Sequence, residues 1–435
     1  MEHGRVGVSE RKKRTGEKMK GIILAATKGA YLDPLTEGKP KAMIKISGKP
    51  LVQHTIEAFR DSGIRELIVV IGYKGEQVVE ELGTGEAIGV SLTYVKQEAP
   101  EGVGQAVLAA KNALIGEERF ILAYSDVIIA PEMIGRLINV SDQEGGKMTF
   151  SITLTPETSH SGVVYRDEEG CVTRTVENPL PGTEKSYYVL SGLYLLGPTI
   201  LDQLEQTSAF PEAIQELIRA KEKIYTSVWE KQWAHIRYPW DLFEVNRLLL
   251  DRIQETRIHR TAKVEPNVSI EHPVVIDSGA IIRPGATLRG PSYIGPNAYI
   301  GNNSLIREYT DLAENVQIGF SSEIKKSLVM ENTKIGSLSY IGDSLIGMNS
   351  ELTAGITTMN VSIPPAPLVV TINEKEYQPN LKKLGAIVGN GTRISANVST
   401  YPGVIIGANA QIGPGATITR NIPPNKEVHA NPSRF

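Results

Sequence analysis

The sequence predicts an α/β domain with a Rossmann-like, mostly parallel sheet, followed by a left-handed parallel β-helix of hexapeptide repeats. From Lys20 to about Lys231, segments with the spacing of strands alternate with segments that have the spacing of helices. This alternation is typical of βαβ units, which build parallel sheets. After about Arg257, aliphatic residues recur every six positions, which is the sequence signature of a β-helix. These two observations predict the two parts of the fold.

The change of pattern divides the chain into four segments. Residues 1–18 form a basic tail, residues 19–238 the α/β domain, residues 239–256 a connecting helix and residues 257–435 the β-helix. The tail has a run of arginine and lysine at 11–14, which is more typical of a short solvated tail than of a nucleic-acid contact. The tail lacks the apolar core of a secretory signal. No apolar run in the chain approaches the ~18 residues that a membrane-spanning helix needs.

The composition is that of a globular protein without disulfides. Its 435 residues are enough for two or three domains, and an apolar content of 41% is ordinary. The net charge of −3 provides no general attraction for nucleic acid or for an anionic membrane. Cys171 is the only cysteine, which excludes a disulfide framework and a thiolate metal cluster. This composition suits a reducing cytoplasm.

The segment LAATKGAYLDPLT, residues 24–36, directly follows the first predicted strand. Mononucleotide-binding folds have their phosphate-binding turn at this place. The segment contains one glycine, Gly29, and no arginine. It therefore has the position of a phosphate loop but an incomplete set of the residues that such a loop uses.

The β-helix is predicted by eight consecutive aliphatic residues at one spacing. They are Ile282, Leu288, Ile294, Ile300, Ile306, Leu312, Ile318 and Ile324, and the period returns at Ile335, Ile341, Val388, Ile394, Ile406, Ile412 and Ile418. Each of these side chains is expected to point into a shared core. The segment from Met359 to Leu384 interrupts the repeat and is predicted to be a loop outside the coil. Because hexapeptide coils commonly trimerise, we expect a homotrimer.

The phosphate-loop segment, the PWDL sequence at 239–242 and the hexapeptide series resemble those of one family. This is the family of bifunctional sugar-1-phosphate nucleotidyltransferases and amino-sugar-1-phosphate N-acetyltransferases, in its archaeal type. The resemblance extends from Met19 to the C-terminus. It implies an α/β nucleotidyltransferase domain that joins a sugar-1-phosphate to a nucleoside triphosphate and releases pyrophosphate. It also implies a second domain that transfers acetyl from acetyl-CoA to an amino-sugar phosphate. The fold follows from the match, but activity depends on the residues of each site.

Several residues of the nucleotidyltransferase site depart from the family pattern, and three of them are at positions that carry its chemistry. Thr27 replaces the first glycine of the loop, where a β-branched residue resists the close approach of backbone to phosphate. Tyr31 replaces the arginine, and losing such a cationic clamp in related chemistry costs roughly 10³–10⁵ in rate. His235 replaces an aspartate that serves as the second Mg²⁺ ligand, although Mg²⁺ prefers oxygen. Lys28 is a candidate substitute for the arginine, and Arg237 provides a cation for the vacated metal position.

Other residues of this site match the family. The resemblance assigns nucleotide or phosphate binding to Gly29, Lys41, Gln97, Gly102, Glu177 and Gly192, and Mg²⁺ binding to Asp126. The alternative for Asp126 is a carboxylate that caps the segment after its strand.

The acetyltransferase site has lost its base and kept its binding residues. Ser337 stands where the family has a histidine, and a serine hydroxyl does not accept a proton near neutral pH. General-base catalysis contributes roughly 10²–10⁴ in rate. The residues that match the acetyl-acceptor groove are Arg307, Lys325, Tyr340, Asn360 and Lys383. The alternative is that these side chains only solvate the outside of the coil.

Three hypotheses follow. The first is a non-catalytic relative that binds a nucleotide or a sugar phosphate and acts as a regulator, or as a subunit beside an active paralogue. The second is an active nucleotidyltransferase with a rearranged site, in which Lys41 and Asp126 keep one phosphate contact and one Mg²⁺ ion. The third is a trimeric scaffold with empty pockets. Acetyl-CoA is a doubtful cofactor in each of them, because the base is missing.

Overall fold

The computed structural model describes residues 19–98, 102–156, 158–159, 161–180, 182–271 and 273–430. The basic tail and the last five residues lie outside the described residues. Across the described part of the chain, every helix is too short or too polar to cross a membrane.

The α/β domain is built on a nine-stranded sheet. Its strands and those of two small ribbons are β1 (Lys20–Ala25), β2 (Lys45–Ile46), β3 (Lys49–Pro50), β4 (Glu66–Ile71), β5 (Ser91–Lys96), β6 (Phe120–Tyr124), β7 (Val127–Ile128), β8 (Met148–Leu154), β9 (Gly162–Arg166), β10 (Val172–Glu177), β11 (Tyr188–Leu196), β12 (Ile224–Trp229) and β13 (Ala234–His235). Its helices are α1 (Leu51–Asp61), α2 (Gly75–Leu82), α3 (Val103–Ala109), α4 (Pro131–Glu144), α5 (Thr199–Thr207), α6 (Phe210–Arg219) and α7 (Asp241–Leu250).

The order of the main sheet is β10-β9-β11-β6-β1-β4-β5, with β8 on β11 and β12 on β8. Strands β6, β1, β4 and β5 are parallel, whereas β11 is antiparallel to β6 and β8. The residues of β1 alternate between two apolar layers, since Ile22 packs with Phe150 in one and Ile23 with Phe59 in the other. The sheet is therefore covered on both faces, and its carboxyl edge holds the loops after β1 and β6.

The helix that connects the domains is shorter than the sequence predicts. It extends from Asp241 to Leu250 rather than from Pro239 to about residue 256. Its first turn is displaced because Tyr238 and Pro239 form turns whose carbonyls accept the N–H groups of Asp241 and Leu242. Pro239 therefore precedes the helix instead of opening it.

The second half of the chain is a β-helix with three parallel walls. One wall consists of Arg257–Ile258, Val274–Ile276, Ser292–Ile294, Asp311–Leu312, Leu328–Val329, Leu345–Ile346, Ile387–Val388 and Ile405–Ile406. The second consists of Lys263–Val264, Ile281–Ile282, Tyr299–Ile300, Gln317–Ile318, Lys334–Ile335, Glu351–Leu352, Arg393–Ile394, Gln411–Ile412 and Glu427–Val428. The third consists of Ser269–Glu271, Thr287–Arg289, Leu305–Ile306, Glu323–Lys325, Tyr340–Gly342, Thr357–Thr358, Ser399–Thr400 and Thr417–Ile418.

The residues that define the six-residue period form the interior of this coil. Every aliphatic residue in the predicted series is buried there, so the pattern is confirmed. Asparagines occupy a left-handed corner of successive coils, and Asn297, Asn315, Asn332 and Asn349 form a ladder of side-chain hydrogen bonds. The interruption after Thr358 contains a hairpin, Val370–Ile372 paired with Lys375–Tyr377, as expected for a loop outside the coil.

The two domains share an apolar cluster and several hydrogen bonds. Leu35 and Trp240 of the first half pack in one cluster with Leu345 and Ile387 of the coil. Asn390 donates its amide hydrogens to the carbonyl oxygens of Leu35 and Glu37, both at 3.0 Å. The domains are therefore docked through the phosphate-loop segment itself.

A buried carboxyl group of the coil also holds this interface. Asp311 accepts a hydrogen bond from the backbone N–H of Ser47 at 2.6 Å, and only 4% of its surface is exposed. Burial raises the pKa of Asp311 to about 7, although the Ser47 hydrogen bond opposes the increase and the charge of Glu331 adds to it. The folded protein therefore holds this proton more tightly than the unfolded chain does.

Asp311→Asn tests this assignment through pH. In the folded protein the Asp311 pKa lies above the unfolded value of about 4, so its contribution to the free energy of unfolding falls as pH rises from about 4 to about 7. We expect Asp311→Asn to reduce that fall by on the order of 1–3 kcal/mol, measured by denaturant unfolding at a series of pH values. Glu351→Gln, at an exposed position on the coil, is the control. An unchanged pH slope in Asp311→Asn would contradict the assignment.

Candidate functional site

The predicted phosphate loop follows β1 and is closed by its own hydrogen bonds. Gly29 has φ 76°, a left-handed conformation, and a Cβ there would lie 2.9 Å from Cβ of Lys41. The carbonyl of Gly29 accepts hydrogen bonds from Leu32 N at 2.8 Å and Thr36 Oγ1 at 3.2 Å. Gly29 is therefore required by the turn and by its close contact with Lys41, while Thr27 is exposed before the turn.

The residues at the variant positions of the loop have local partners. Nζ of Lys28 lies 2.9 Å from Oδ2 of Asp33 and 3.5 Å from Oε2 of Glu37. The Asp33 hydrogen bond raises the pKa of Lys28 against the effect of burial. The Tyr31 ring packs edge-on against Tyr238 at 5.8 Å and is 46% exposed. Lys28 is thus paired with carboxylates of its own segment, and its role as a substitute for an arginine stays a prediction.

The centre of the site is the carboxylate of Asp126, in the turn between β6 and β7. Nζ of Lys41 lies 2.5 Å from Oδ2 of Asp126 and also donates to the carbonyl oxygen of Ile236. His235 Nε2 lies 3.6 Å from the same Oδ2. Pairing of β13 with β7 places His235 opposite Val127, directly after Asp126. Two of the predicted site residues and one variant residue therefore meet at one oxygen atom.

The charges of this cluster explain its titration. Burial alone would raise the pKa of Asp126, but the Lys41 ammonium and His235 outweigh it and hold that pKa well below its usual range. The sequence suggests Arg237 as the cation that fills the metal position, and this is wrong. Arg237 instead lies 3.5 Å from Oδ1 of Asn178, and Lys41 provides the cation at Asp126.

These residues do not suit Mg²⁺. The ion prefers several oxygen ligands, usually carboxylates and waters. Here the Asp126 oxygen is engaged by an ammonium group, and the neighbouring group is an imidazole. Among the described residues no group of three or more His, Cys, Asp or Glu side chains has the arrangement of a metal site. Asp126 as a Mg²⁺ ligand thus stays a prediction that the donor set does not favour.

A small cavity beside Asp126 contains the predicted sugar-side residues. It has a volume of about 210 Å³, and its lining includes Glu177, Gly192, His235 and Arg237. Burial raises the pKa of Glu177, and the charge of Arg237 opposes that increase. Gly192 has φ 83°, and a Cβ at this position would lie 2.8 Å from Val127. The cavity therefore has one hydrogen-bonding acid and one cation, which suit a hydroxylated anion.

The predicted base-reading residues lie on another part of the same sheet edge. Gln97 Nε2 donates to the carbonyl of Gly102 at 3.1 Å. Gly102, with φ 92°, directly precedes α3. Residues 99–101, between them, lie outside the described part. The structure places Val103, next to Gly102, on the lining of the small cavity, whereas Gln97 lies outside that lining.

Sequence reasoning missed an aromatic wall and the carboxylate that supports it. A larger cleft of about 640 Å³ extends from His235 to the hairpin of the coil's outer loop. Tyr238 stacks on Trp240 at 4.8 Å and lies 4.9 Å from Tyr377. Asp241 accepts hydrogen bonds from the N–H groups of Arg237 and Tyr238, both at 2.7 Å. The aromatic residues around the PWDL sequence were the available signal for this wall.

A second candidate site lies on the coil. A groove of about 590 Å³ is lined by Glu308, Tyr309, Lys325, Lys326, Asp343, Asn380, Leu381, Lys382 and Lys383. Its four lysines outnumber its two carboxylates, so the groove attracts anions. Asp343 links the predicted residues, since its Oδ2 lies 3.5 Å from Lys325 Nζ and accepts the Asn360 amide at 2.6 Å. Asn360 also donates to the Tyr340 hydroxyl at 3.2 Å.

Four predicted residues of the coil lie outside this groove lining, namely Arg307, Ser337, Tyr340 and Asn360. Arg307 forms an ion pair with Glu323 at 3.0 Å, and that hydrogen bond raises its pKa. Ser337 lies on a turn, where its carbonyl accepts the N–H of Gly355 at 2.9 Å. Lys326 is a lining residue that sequence reasoning missed, although it directly follows Lys325.

Comparisons with known proteins agree with this architecture. The model of the family described as "Nucleotidyl transferase" matches residues 20–252. The chain belongs to the nucleotidyl transferase family. The model of bacterial transferase hexapeptide repeats matches residues 255–290 and 385–420, and one described as "GMPPB C-terminal domain" matches residues 288–374.

Curated relatives have both halves. "Bifunctional protein GlmU" of Methanocaldococcus jannaschii is 36% identical over 94% of this chain and 97% of its own length. The "Bifunctional sugar-1-phosphate nucleotidylyltransferase/acetyltransferase" of Sulfurisphaera tokodaii is 32% identical over 93% of this chain and 98% of its own. A solved UDP-glucose pyrophosphorylase from Acinetobacter baumanii is 21% identical with a TM-score of 0.46, over 54% of this chain and 95% of that one. This member of the nucleotidyl transferase family thus also has hexapeptide repeats, and both relatives match it over nearly its whole length.

A double-mutant cycle tests the Lys41–Asp126 pair in this nucleotidyl transferase relative. The side chains are only 10% and 19% exposed, so Asp126→Asn leaves a buried ammonium without its counter-ion. We expect that variant to lose about 3–5 kcal/mol of unfolding free energy. Lys41→Met combined with Asp126→Asn should lose less than the sum of the two single changes, with a coupling of about 1–3 kcal/mol. Denaturant unfolding measures all four proteins.

The exposed pair Lys96–Glu98 provides the matched control. An ion pair of this kind contributes about 0–1 kcal/mol, so Lys96→Met and Glu98→Gln should combine additively. A coupling at Lys41–Asp126 no larger than this control would show that the pair does not organise the site.

Proposed function

We propose that this chain is a nucleotidyl transferase relative that binds nucleotides or sugar phosphates and has lost catalysis at both centres. It acts as a regulatory or non-catalytic partner in nucleotide-sugar synthesis, in the cytoplasm, as a trimer assembled through the β-helix. An active paralogue is the partner that this role calls for. The proposal rests above all on the pairing of Asp126 with Lys41.

The pairing of Asp126 with Lys41 competes with the binding of a metal ion by Asp126 and with the binding of a triphosphate by Lys41. Nucleotidyl transfer depends on positioning and on stabilising the charge of the phosphates. In this site the carboxylate that would hold a cation is bonded to Lys41, and His235 stands beside it. A triphosphate would have to draw Lys41 away from a buried carboxylate, which leaves that carboxylate without its partner. Binding energy spent in this way does not lower the barrier to transfer.

The phosphate loop supports the same proposal. Its lysine is paired with Asp33 and Glu37, and its arginine position is occupied by Tyr31, which packs on Tyr238. The loop therefore presents backbone N–H groups without a forked cation. Arginine and tyrosine differ here by a permanent charge and a bidentate donor set.

The coil supports binding without acetyl transfer. Its groove has an excess of lysine over carboxylate, which suits a sugar phosphate. Ser337 provides no group that accepts a proton from an amine near neutral pH. We therefore propose that an amino-sugar phosphate binds in the groove and is not acetylated from acetyl-CoA.

An active nucleotidyltransferase with a rearranged site is the second candidate, and the names of the archaeal relatives favour it. In that case Lys41 must leave Asp126 when the nucleotide binds. A trimeric scaffold is the third candidate, in which neither the α/β cavity nor the groove of the coil has a ligand.

Pyrophosphate release distinguishes the first two candidates. We expect the wild type, given UTP, dTTP, GTP or CTP with a sugar-1-phosphate and Mg²⁺, to turn over roughly 10³-fold or more below the Methanocaldococcus relative measured in parallel. Tyr31→Arg with His235→Asp restores a cation and a carboxylate, and should raise turnover by at least about tenfold. Tyr31→Phe with His235→Asn alters the same positions without adding charge and should not. Wild-type turnover equal to that of the relative would refute the proposed loss of catalysis.

Ligand-induced thermal shifts distinguish binding from a scaffold. We expect glucosamine-1-phosphate to raise the melting temperature. Lys325→Gln with Lys383→Gln should weaken its affinity at least about tenfold, since even one lost charge-assisted hydrogen bond is worth about 1.5–3 kcal/mol. Lys426→Gln, exposed at the far end of the coil, is the control. Acetyl-CoA should not be consumed in the same mixture. The scaffold candidate is the one that survives if neither nucleotides nor sugar phosphates shift the melting temperature.

A further inference from the structure

A cavity at the seam between the domains is distinct from both family centres. Its volume is about 470 Å³. The β2–β3 turn, helix α1, the C-terminal end of α7 and the first coils of the β-helix all contribute to its lining. The walls therefore come from both domains, and a ligand here would contact each of them.

The cavity is rich in cationic side chains. Lys49, Arg252 and Arg257 line it, with Asp277 as its one carboxylate. Asp277 is already engaged, since it accepts the Tyr293 hydroxyl at 2.9 Å and the Ser278 N–H at 2.6 Å. Lys49 is paired with Glu57 at 2.7 Å. Among the described residues, Arg252 and Arg257 form no ion pair and no side-chain hydrogen bond.

The guanidinium groups of Arg252 and Arg257 are thus the cations of the cavity that are available to a ligand. Partial burial lowers the pKa of Arg252, and the charge of Glu132 on α4 opposes that decrease. A guanidinium that lines a cavity and has no ion pair within the described chain is available to bind an anion through charge-assisted hydrogen bonds. Arg257, at the start of the coil, is exposed and adds a second forked donor set.

Two polar groups beside the arginines add hydrogen-bonding capacity. The hydroxyl oxygen of Ser47 is buried and has no hydrogen-bond partner among the described residues. His54 Nε2 donates to the carbonyl of Ile46 at 3.0 Å, which leaves Nδ1 as an acceptor. Burial, together with the charges of Lys49 and Arg252, lowers the pKa of His54 to about 4, against the effects of the Ile46 hydrogen bond and Glu57. At neutral pH this histidine is therefore an uncharged acceptor.

We propose that this cavity is a binding site for a phosphate-bearing metabolite, in which Arg252 and Arg257 hold the phosphate and Ser47 and His54 contact its hydroxyl groups. The volume is sufficient for a sugar phosphate or a nucleoside diphosphate. The apolar part of the lining, Leu249, Ile253 and Val275, accommodates the less polar face of such a ligand. A ligand bound here stabilises the docked arrangement of the domains, by mass action on the folded state.

Calorimetric titration tests the site, with inorganic pyrophosphate and uridine diphosphate as probes at constant ionic strength. We expect Arg252→Gln with Arg257→Gln to weaken the binding of both probes at least tenfold. Arg260→Gln, an exposed arginine outside the lining, should leave the affinities unchanged. Lys325→Gln with Lys383→Gln removes two positive charges from the groove of the coil. It should leave binding in the cavity between the domains unchanged. Ser47→Ala should weaken only the uridine diphosphate.

The outcomes separate this site from the others. Equal affinities in the wild type and the arginine variant would overturn the proposal. The proposal would also fail if the wild type bound neither pyrophosphate nor uridine diphosphate. A loss seen only in the Lys325 and Lys383 variant would assign the anion to the coil instead. Because the arginines are on the surface, the variants are expected to fold, and Arg257→Glu alone provides a second variant with reversed charge. Loss of binding in Arg260→Gln as well would show general charge attraction rather than a site.

Discussion

The buried pair of Lys41 and Asp126 is the interaction on which the arrangement of the nucleotidyltransferase-like site depends. It joins the segment after the phosphate loop, the turn after β6 and, through the carbonyl of Ile236, the chain that leads into α7. Gly29 is fitted against the stem of Lys41. A buried ion pair offsets its desolvation only when its remaining hydrogen bonds are made, and Ile236 provides one of them. In this structure the cation beside Asp126 is thus the ammonium group of Lys41.

His235 and Tyr31, the two variant residues with the largest change of charge, each have a partner in the folded protein. With His235 in place of a carboxylate, the site has one acid fewer, and a single internal ammonium balances Asp126. Compared with the pattern that the family resemblance predicts, Tyr31 gives the loop one cation fewer, and its ring packs on Tyr238. Each replacement removes a charge that would otherwise need a partner. The fold therefore tolerates His235 and Tyr31 because the charges stay balanced and the side chains stay packed.

The sequence predicted what depends on short-range pattern, and it failed where distant segments meet. The six-residue period identified the residues inside the coil, because each coil repeats the same environment. The loop after β1 was located from its strand alone. The Lys41–Asp126 contact joins residues 85 positions apart, and no local pattern encodes it. The same limit explains the wrong expectation for Arg237, which is close in sequence to the predicted metal position but contacts Asn178. It also explains the wrong start of α7, which depends on turns around Tyr238.

The docking of the two domains gives a reason for the survival of the phosphate loop. Leu35 and Glu37 at its end bind Asn390 of the coil, and Leu35 is buried in the shared apolar cluster. A change that disordered this loop would expose that cluster and leave a buried amide without partners. Selection for the interface alone would then preserve the shape of the loop, independently of any selection for its chemistry. Thr27 and Tyr31 of the same loop are exposed, although Tyr31 still packs on Tyr238 of that cluster. The interface therefore constrains Leu35 and Glu37 more than it constrains Thr27.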